Sequence, residues 1–245
     1  MAASGHDMAL QPTTPVDFHA YPLAEQWAWA IAVAVAAALR RDLQANARAR
    51  LLVSGGKSPV PVFRALSQAP LDWARVDIAL VDERWLQPDD SDSNAHLVRE
   101  HLLRGHAATA RFEPLTRAGS SIEEAVSNAN LHARQPAGIV LLGMGDDGHT
   151  ASLFPRMRGL DHALETGNAY VAVDAAECEG AGPWPRRISL TPAGLAPAHT
   201  RLLMFRGGGK RAVFDRALEG TNAHVLPVRI AFTTPGAILQ VYWCP

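Results

Sequence analysis

The densest group of potentially catalytic side chains lies in residues 138–155, GIVLLGMGDDGHTASLFP. The apolar run 139–142 predicts a buried strand, the glycines after it predict a tight turn, and Thr150 onward predicts the start of a helix. His149 would then lie near a helix N-terminus, at the exposed end of a strand. The positive end of a helix dipole disfavours imidazolium, so a histidine placed there stays neutral near pH 7 and can act as a general base.

A catalytic base needs a partner that orients its ring. Asp147 or Glu83 could hold one ring nitrogen of His149 and leave the other free to take a proton from water. No second histidine lies at a metal-ligand spacing from His149, so the sequence predicts an acid–base site without a metal.

The same glycines match two nucleotide motifs, and both matches are poor. Gly143-Met-Gly145-Asp-Asp-Gly148 fits G-x-G-x-x-G, but Asp146 and Asp147 would repel a pyrophosphate lying on the backbone. The segment also resembles a phosphate loop in which the lysine is replaced by His149, and a neutral imidazole holds a triphosphate poorly. The sequence therefore predicts no nucleotide cofactor.

A second glycine loop, SGGKSP, follows a short predicted strand at residues 51–53. Ser58 is the expected N-cap of the next helix and Pro59 its first residue. A strand, a glycine loop and a helix in this order expose backbone N–H groups to an anion. Ser54, Gly55 and Gly56 are the predicted binding residues of this loop.

Two further predicted strands end in polar residues. Asp82, Glu83 and Arg84 follow the strand at residues 76–81, and they indicate either a binding site or a surface network of ion pairs. Only two of the 23 lysines and arginines are lysine, and one of them, Lys210, follows three glycines after the strand at residues 201–205. Arg84 and Lys210 are candidates for direct phosphate contact, with Arg187 as a third.

The segment at residues 90–94, DSDSN, begins like a calcium loop but lacks the glycine and the glutamate that such a loop needs. It is better interpreted as the N-cap of a helix at residues 95–103. The Gly/Pro-rich segment at residues 177–185 could cover a site. We interpret it as an ordinary surface loop.

The alternation of strands and helices predicts an α/β fold with a doubly wound, mostly parallel sheet and helices on both faces. The helix expected at residues 23–47 carries an apolar residue at every fourth position, Trp27, Ile31, Val35 and Leu39. In such a sheet the carboxyl ends of the strands share one edge and ligands bind there. The polar clusters described above all fall at that edge.

Composition limits the other possibilities. The 245 residues carry a formal net charge of −1, which gives no general attraction to nucleic acid or to a membrane surface. Two distant cysteines favour a reducing compartment, and the N-terminus lacks the pattern of a signal peptide, so a cytoplasmic location is expected. We expect residues 1–15 to be a flexible leader and residues 16–245 to be a single domain.

Five segments in order, SGGKSP, DERW followed by DSN, GMGDDGHTASLFP, RISLT and GGGKR, resemble the glucosamine-6-phosphate isomerase/6-phosphogluconolactonase family. The resemblance extends over nearly the whole chain, and the HTASLFP continuation resembles the lactonases. It implies a doubly wound α/β fold, no cofactor or metal, and hydrolysis of 6-phospho-D-glucono-1,5-lactone to 6-phosphogluconate in the pentose phosphate pathway. The partner would be this small-molecule lactone, and the protein would be a monomer or a weak homodimer.

The resemblance also assigns residues. His149 would deprotonate the attacking water, Asp147 would orient His149, and nearby backbone N–H groups would stabilise the oxyanion. The substrate-binding residues would be Ser54, Gly55, Gly56, Asp82, Glu83, Arg84, Asn94, Gly145, Arg187 and Lys210. Asp146 departs from the family pattern, which commonly has proline at this position.

Two alternatives from other functional classes remain. Relatives that deaminate or isomerise amino-sugar or pentose phosphates share the GxDGH core, but they continue with Asn-Glu-Pro where this chain has Ser-Leu-Phe-Pro. A sugar-phosphate-sensing module without catalysis is the other alternative. Such modules usually adjoin a DNA-binding segment, for which we see no room before residue 16.

Overall fold

The protein is described here by a computed structural model that covers residues 16–245; the expected leader, residues 1–15, lies outside them. The described chain forms a large parallel sheet, a small antiparallel sheet and helices packed around them. The strands are β1 (Val16–Ala20), β2 (Ala49–Val53), β3 (Val76–Leu80), β4 (Asp82–Arg84), β5 (Arg111–Glu113), β6 (Ile139–Gly143), β7 (Tyr170–Asp174), β8 (Arg186–Leu190), β9 (Thr200–Arg206) and β10 (Leu239–Cys244).

The large sheet has seven strands in the order β1-β10-β9-β6-β2-β3-β5, and all of its pairings are parallel. Every residue of β2 and β3 is buried, because helices cover both faces of the sheet. From β2 the chain proceeds outward to β3 and β5, then returns to place β6 on the other side of β2. The strand order therefore reverses between β2 and β6, and a ligand crevice is expected at their carboxyl ends. The predicted doubly wound fold is confirmed.

The helices are α1 (Ala24–Ala45), α2 (Val60–Leu66), α3 (Asn94–His101), α4 (Ile122–His132), α5 (Leu160–Glu165), α6 (Pro192–Leu195), α7 (Gly208–Glu219) and α8 (Ile230–Thr233). The predicted apolar stripe of α1 is fully buried against the sheet, which also holds the helix through a hydrogen bond from Nε1 of Trp27 to the carbonyl of Tyr242. None of the helices between residues 16 and 245 combines the length and the apolar character that a bilayer crossing requires.

The helix predicted from Thr150 onward is absent, and this prediction was wrong. Residues 150–153 form a turn closed by a bridge between Thr150 and Leu153, and the next helix begins only at Leu160. Hydrogen bonds outside a helical ladder hold the turn: Thr150 Oγ1 donates to the carbonyl of Gly143, and the N–H of Ser152 donates to Oγ of Ser189. These contacts outweigh the local helix signal.

The start of one helix differs from the prediction. Helix α2 begins at Val60 after Pro59, with no side-chain cap, so Ser58 is not its N-cap. Helix α7 begins at Gly208, within the glycine run that follows β9, and this places Lys210 in its first turn.

The small sheet contains β4, β8 and β7, and its pairings are antiparallel. The chain leaves the large sheet at Val81, whose N–H donates to the carbonyl of Val53 and whose carbonyl accepts from the N–H of Leu190. Asp82–Arg84 are thus a strand and not a loop after β3. Their pairing sets Arg84 directly opposite Arg187.

Candidate active site

A cavity of about 530 Å³ opens at the carboxyl ends of β2 and β6, where the strand order reverses. Its wall combines the loops after these strands with β4, the start of α3, the first turn of α7 and part of segment 177–185. The predicted site residues that line it are Ser54, Gly55, Gly56, Asp82, Arg84, Asn94, Gly145, Asp147, His149, Arg187 and Lys210.

His149 and Asp147 form a close pair at the cavity surface. Nδ1 of His149 lies 2.6 Å from Oδ1 of Asp147, and the backbone N–H of His149 donates to the same oxygen at 3.0 Å. Burial opposes ionisation of Asp147, but the hydrogen bond and charge of His149 outweigh it and hold the pKa of Asp147 below its ordinary value. A proton on Nδ1 satisfies this contact and leaves Nε2 as the proton acceptor. Asp147, and not Glu83, is therefore the orienting partner.

No helix begins beside His149, so the argument that a helix dipole keeps its ring neutral does not apply. The ring is held by contacts instead. It packs against Phe154 with 4.4 Å between ring centroids, and Phe154 is fully buried. The guanidinium carbon of Arg187 lies 5.2 Å from the centre of the Phe154 ring, so the predicted base and a predicted phosphate ligand share this aromatic support.

The turn between β6 and His149 requires glycine at two positions. A Cβ on Gly145 would overlap the imidazole ring of His149. Gly148 has a φ of +84°, and a Cβ there would lie 2.6 Å from Cδ2 of Leu226. The N–H of Gly145 donates to the carbonyl of His149 at 2.9 Å, which closes the turn and commits that donor within it.

The loop after β2 supplies backbone donors. Oγ of Ser54 accepts the N–H of Gly143 at 3.1 Å and so joins the two loops that border the cavity. Gly55 lies against the side-chain amide of Asn94, where a Cβ would overlap it, and Gly56 has a φ of +91°. Within residues 16–245, the N–H groups of Gly55 and Gly56 have no protein acceptor, so they can bind an anion.

Glu83 does not line the cavity, and the structure contradicts its predicted contact with substrate. It is fully buried, and its carboxylate accepts N–H groups from Arg84, Asn94 and Ala95, each at 2.8 Å. Burial raises the pKa of Glu83 to about 7 despite these three donors. With Ser93, which accepts the N–H of His96, Glu83 caps α3 and fixes the position of Asn94.

Asp82 and Arg187 meet through Ser152. Oγ of Ser152 donates to the carboxylate of Asp82 at 2.5 Å and lies 3.5 Å from Nη1 of Arg187. Burial lowers the pKa of Arg187, and the nearby Asp82 charge opposes that shift. An arginine remains charged under these conditions.

Among the described residues, the cationic side chains that line the cavity are Lys57, Arg84, Arg187 and Lys210. Nζ of Lys210 donates to the carbonyl of Met144 at 2.7 Å, and Arg84 donates to the carbonyl of Asp92 and lies 3.5 Å from Oδ1 of Asn94. Several fixed cations beside free backbone N–H groups make this wall complementary to a phosphate.

Segment 177–185 is part of the cavity wall, contrary to the interpretation as an ordinary surface loop. Glu179 and Gly180 line the cavity. Arg187 holds the segment through hydrogen bonds to the carbonyls of Ala181, at 2.5 Å, and Trp184, at 2.9 Å. These contacts use backbone acceptors, which leave no residue pattern in the sequence.

In the described part of the chain, no group of three or more histidine, cysteine, aspartate or glutamate side chains is placed to share a metal ion.

The fold and the site define a doubly wound α/β protein whose cavity is lined by a histidine–aspartate pair and by cationic side chains. A model of the family described as glucosamine-6-phosphate isomerases/6-phosphogluconolactonase matches residues 22–243. The chain therefore belongs to the glucosamine-6-phosphate isomerase/6-phosphogluconolactonase family, as its motifs indicate.

Individual relatives are also similar to it. A 6-phosphogluconolactonase of Xylella fastidiosa is 48% identical over 222 residues, which cover 89% of this chain and 92% of the relative. A 6-phosphogluconolactonase of Pseudomonas aeruginosa is 43% identical and covers 84% of this chain, with 86% of its own length matched. The crystal structure of a 6-phosphogluconolactonase from Shewanella baltica superposes with a TM-score of 0.88 at 32% identity, covering 95% of this chain and 99% of that one.

Proposed function

We propose that this protein hydrolyses 6-phospho-D-glucono-1,5-lactone to 6-phospho-D-gluconate, a step of the oxidative pentose phosphate pathway. The observation that carries the proposal is the pairing of His149 with Asp147 in a cavity that cationic side chains also line. A phosphorylated lactone needs both features, because one end must be bound as an anion and the other attacked by water. The family membership and the names of the relatives agree with this reaction.

His149 acts as the general base. Its Nε2 takes a proton from a water molecule as the water oxygen forms a bond to the lactone carbonyl carbon. Asp147 stabilises the imidazolium that results through the 2.6 Å contact at Nδ1. The tetrahedral intermediate then collapses, the bond from the carbonyl carbon to the ring oxygen breaks, and the leaving oxygen takes the proton from Nε2. The carboxylic acid formed releases its own proton to solvent.

The oxyanion of the intermediate needs donors that are not already committed. The N–H of Gly145 donates to the carbonyl of His149, so this particular backbone group does not serve the oxyanion. We propose that other backbone N–H groups near His149 stabilise the oxyanion.

The phosphate is bound at the cationic wall. We assign it to the N–H groups of Gly55 and Gly56, to Arg84 and Arg187, and to Lys210. Asn94, Ser54 and Asp82 complete the wall, and Asp82 also orients Ser152 beside Arg187. Glu83 is omitted from the ligands because it is buried behind the wall.

The setting we propose is a single domain over residues 16–245 that works in the cytoplasm as a monomer or a weak homodimer. A net charge of −1 gives no general affinity for nucleic acid or for membranes. The two cysteines, Cys178 and Cys244, are free thiols, which agrees with a reducing compartment.

The test is proton release from freshly prepared 6-phosphogluconolactone, measured above the rate of spontaneous hydrolysis. His149→Ala should lower kcat roughly 10²–10⁴-fold, the usual contribution of a positioned base. His162→Ala, which alters an exposed histidine of α5 outside the cavity, is the control and should retain full activity. A wild-type protein without activity would favour the deaminase, isomerase or sensing alternatives, and a normal kcat in His149→Ala would remove this residue from the mechanism.

A further inference from the structure

The pair formed by Asp147 and His149 is enclosed by two glycines from different parts of the chain. Gly145 lies against the imidazole ring from within the same turn. Gly180 belongs to segment 177–185, which is distant in sequence from that turn and also lines the cavity. A Cβ on Gly180 would lie 2.5 Å from Oδ2 of Asp147, 3.2 Å from its Cγ and 3.4 Å from Nδ1 of His149.

The two carboxylate oxygens of Asp147 therefore have different surroundings. Oδ1 accepts both the backbone N–H and Nδ1–H of His149. Oδ2 faces the backbone of Gly180 at a distance that leaves no room for a methyl group. Any displacement of Oδ2 rotates the carboxylate about its bond to Cβ, which moves Oδ1 out of line with the two donors of His149.

The position of Gly180 is fixed by a chain of contacts from the cationic wall. Arg187 binds the carbonyls of Ala181 and Trp184, which lie on either side of the next turn of the segment. Nε1 of Trp184 donates to Oδ2 of Asp92 at 3.1 Å, and the backbone carbonyl of Asp92 in turn accepts from Arg84. Ala181 is itself buried, so the residue after Gly180 anchors it in the core.

We propose that Gly180 is a positioning residue, which acts on the reaction by keeping the carboxylate of Asp147 in the orientation that binds Nδ1 of His149. This inference rests on the proposed function of the Asp147–His149 pair. Gly180 touches neither the water nor the reacting carbon, and its effect passes through Asp147. The same segment is held by Arg84 and Arg187, so the residues assigned to phosphate also support the orientation of the base.

Glycine is needed at position 180 for space and not for backbone conformation. Gly180 is not among the residues with positive φ, so alanine can adopt its backbone angles without strain. Gly180→Ala therefore introduces one methyl group against Oδ2 and little else. Gly167→Ala is the matched control, because Gly167 also lacks a positive φ and a Cβ there meets no atom within 4 Å.

The first experiment is steady-state kinetics on both variants. Gly180→Ala should lower kcat roughly 10–100-fold, as expected when a catalytic group is displaced by a fraction of an ångström to an ångström, while KM stays within about threefold of wild type. Gly167→Ala should match wild type. In an Asp147→Asn background, Gly180→Ala should cause no further loss, because a residue that acts through Asp147 is not additive with its replacement.

A second measurement does not depend on turnover. In the free protein, the proton NMR signal of Nδ1–H of His149 should lie far downfield, as expected for a short hydrogen bond to a carboxylate, and should move upfield or exchange away in Gly180→Ala but not in Gly167→Ala. Trp184→Phe, which removes the Nε1 donor and keeps an aromatic ring, should shift this signal in the same direction by a smaller amount. If Gly180→Ala does not fold, the Nδ1–H signal is compared between Trp184→Phe and wild type instead.

The possible outcomes distinguish failure of the inference about Gly180 from failure of the proposed function. If wild type hydrolyses the lactone and Gly180→Ala has the kcat and Nδ1–H signal of Gly167→Ala, the inference is wrong. Equal losses from Gly180→Ala in the wild-type and Asp147→Asn backgrounds would also overturn it. If wild type does not hydrolyse the lactone, the proposed function fails, and the NMR comparison still decides whether Gly180 positions Asp147.

Discussion

Replacing Glu83 by glutamine tests how a buried carboxylate behind the site affects stability. Glu83 is fully buried and accepts three backbone N–H groups, among them those of Asn94 and Ala95 at the start of α3. Burial raises its pKa from 4.5 to about 7. Since one pKa unit corresponds to 1.36 kcal/mol, the shift amounts to about 3 kcal/mol between the two protonation states.

Proton linkage determines whether this pKa shift raises or lowers the stability of the protein as pH increases. The pKa of Glu83 is higher in the folded protein than in the unfolded chain, so the folded state binds the proton more tightly. The resulting contribution to the free energy of unfolding is complete below pH 4.5, is lost as pH rises toward about 7, and is absent above that. The protein should therefore lose up to about 3 kcal/mol of stability from this group over that interval.

A glutamine side chain at position 83 does not ionise and has nearly the same shape as glutamate. Its carbonyl can still accept from Arg84 and Asn94, but its amide group faces the N–H of Ala95, which loses an acceptor at a cost of about 1–3 kcal/mol. Glu83→Gln should therefore be less stable than wild type at pH 5, and this deficit should shrink or reverse by pH 8.

Urea unfolding at several pH values between 5 and 8 measures the effect, with the exposed Glu219→Gln on α7 as the control. Other titrating groups cancel in the difference between each variant and wild type. A Glu83→Gln difference that stays constant across this range would refute the reasoning.

Two further predictions concern the site itself. Asp147→Asn should lower kcat roughly 10³–10⁴-fold with little change in KM, because an amide offers Nδ1 of His149 a donor and favours the wrong tautomer; a loss below tenfold would argue against the pair. Lys210→Ala should mainly raise KM, by about 10–100-fold for the loss of a charged contact to phosphate. It should lower kcat only modestly, through the lost hydrogen bond to Met144, and an unchanged KM would remove Lys210 from the phosphate site. Both effects are read from initial rates over a range of lactone concentrations.

The elements that could be predicted from the sequence are those with local signals. The spacing of Trp27 and Ile31 identifies α1, and Ser121 with Glu124 forms the capping box that begins α4. The strands β2 and β6 are short apolar runs followed by glycines, and both lie in the large sheet.

The elements that could not be predicted depend on contacts between distant residues. Strand β4 exists because it pairs with β8, about a hundred residues later in the chain. The turn after His149 is fixed in part by Ser189, and no window around Thr150 contains that information. Strand β1, which has no strong pattern of its own, is fixed at the sheet edge by its pairing with β10.

The same distinction applies to the site. Motifs identified the residues that face the cavity because glycines, acids and cations cluster at strand ends. They did not distinguish Glu83, which is buried behind the cavity wall, from its neighbours Asp82 and Arg84, which line the cavity. Adjacent side chains along a strand point to opposite faces, and the sequence did not predict that these residues form a strand. Gly180 belongs to no sequence motif, and only its close approach to Asp147 in the folded protein indicates a role.

The strand order also determines when the site can form as the protein folds. Strand β6 lies between β2, from the N-terminal part of the chain, and β9, from the C-terminal part. A fragment that ends before β9 therefore lacks part of the edge at which Ser54, His149 and Lys210 face one another. Contacts between residues far apart in sequence form slowly, because loop-closure entropy is lost before they stabilise the chain. The site is a property of the completed sheet, so a fragment that ends before β9 is not expected to carry out its chemistry.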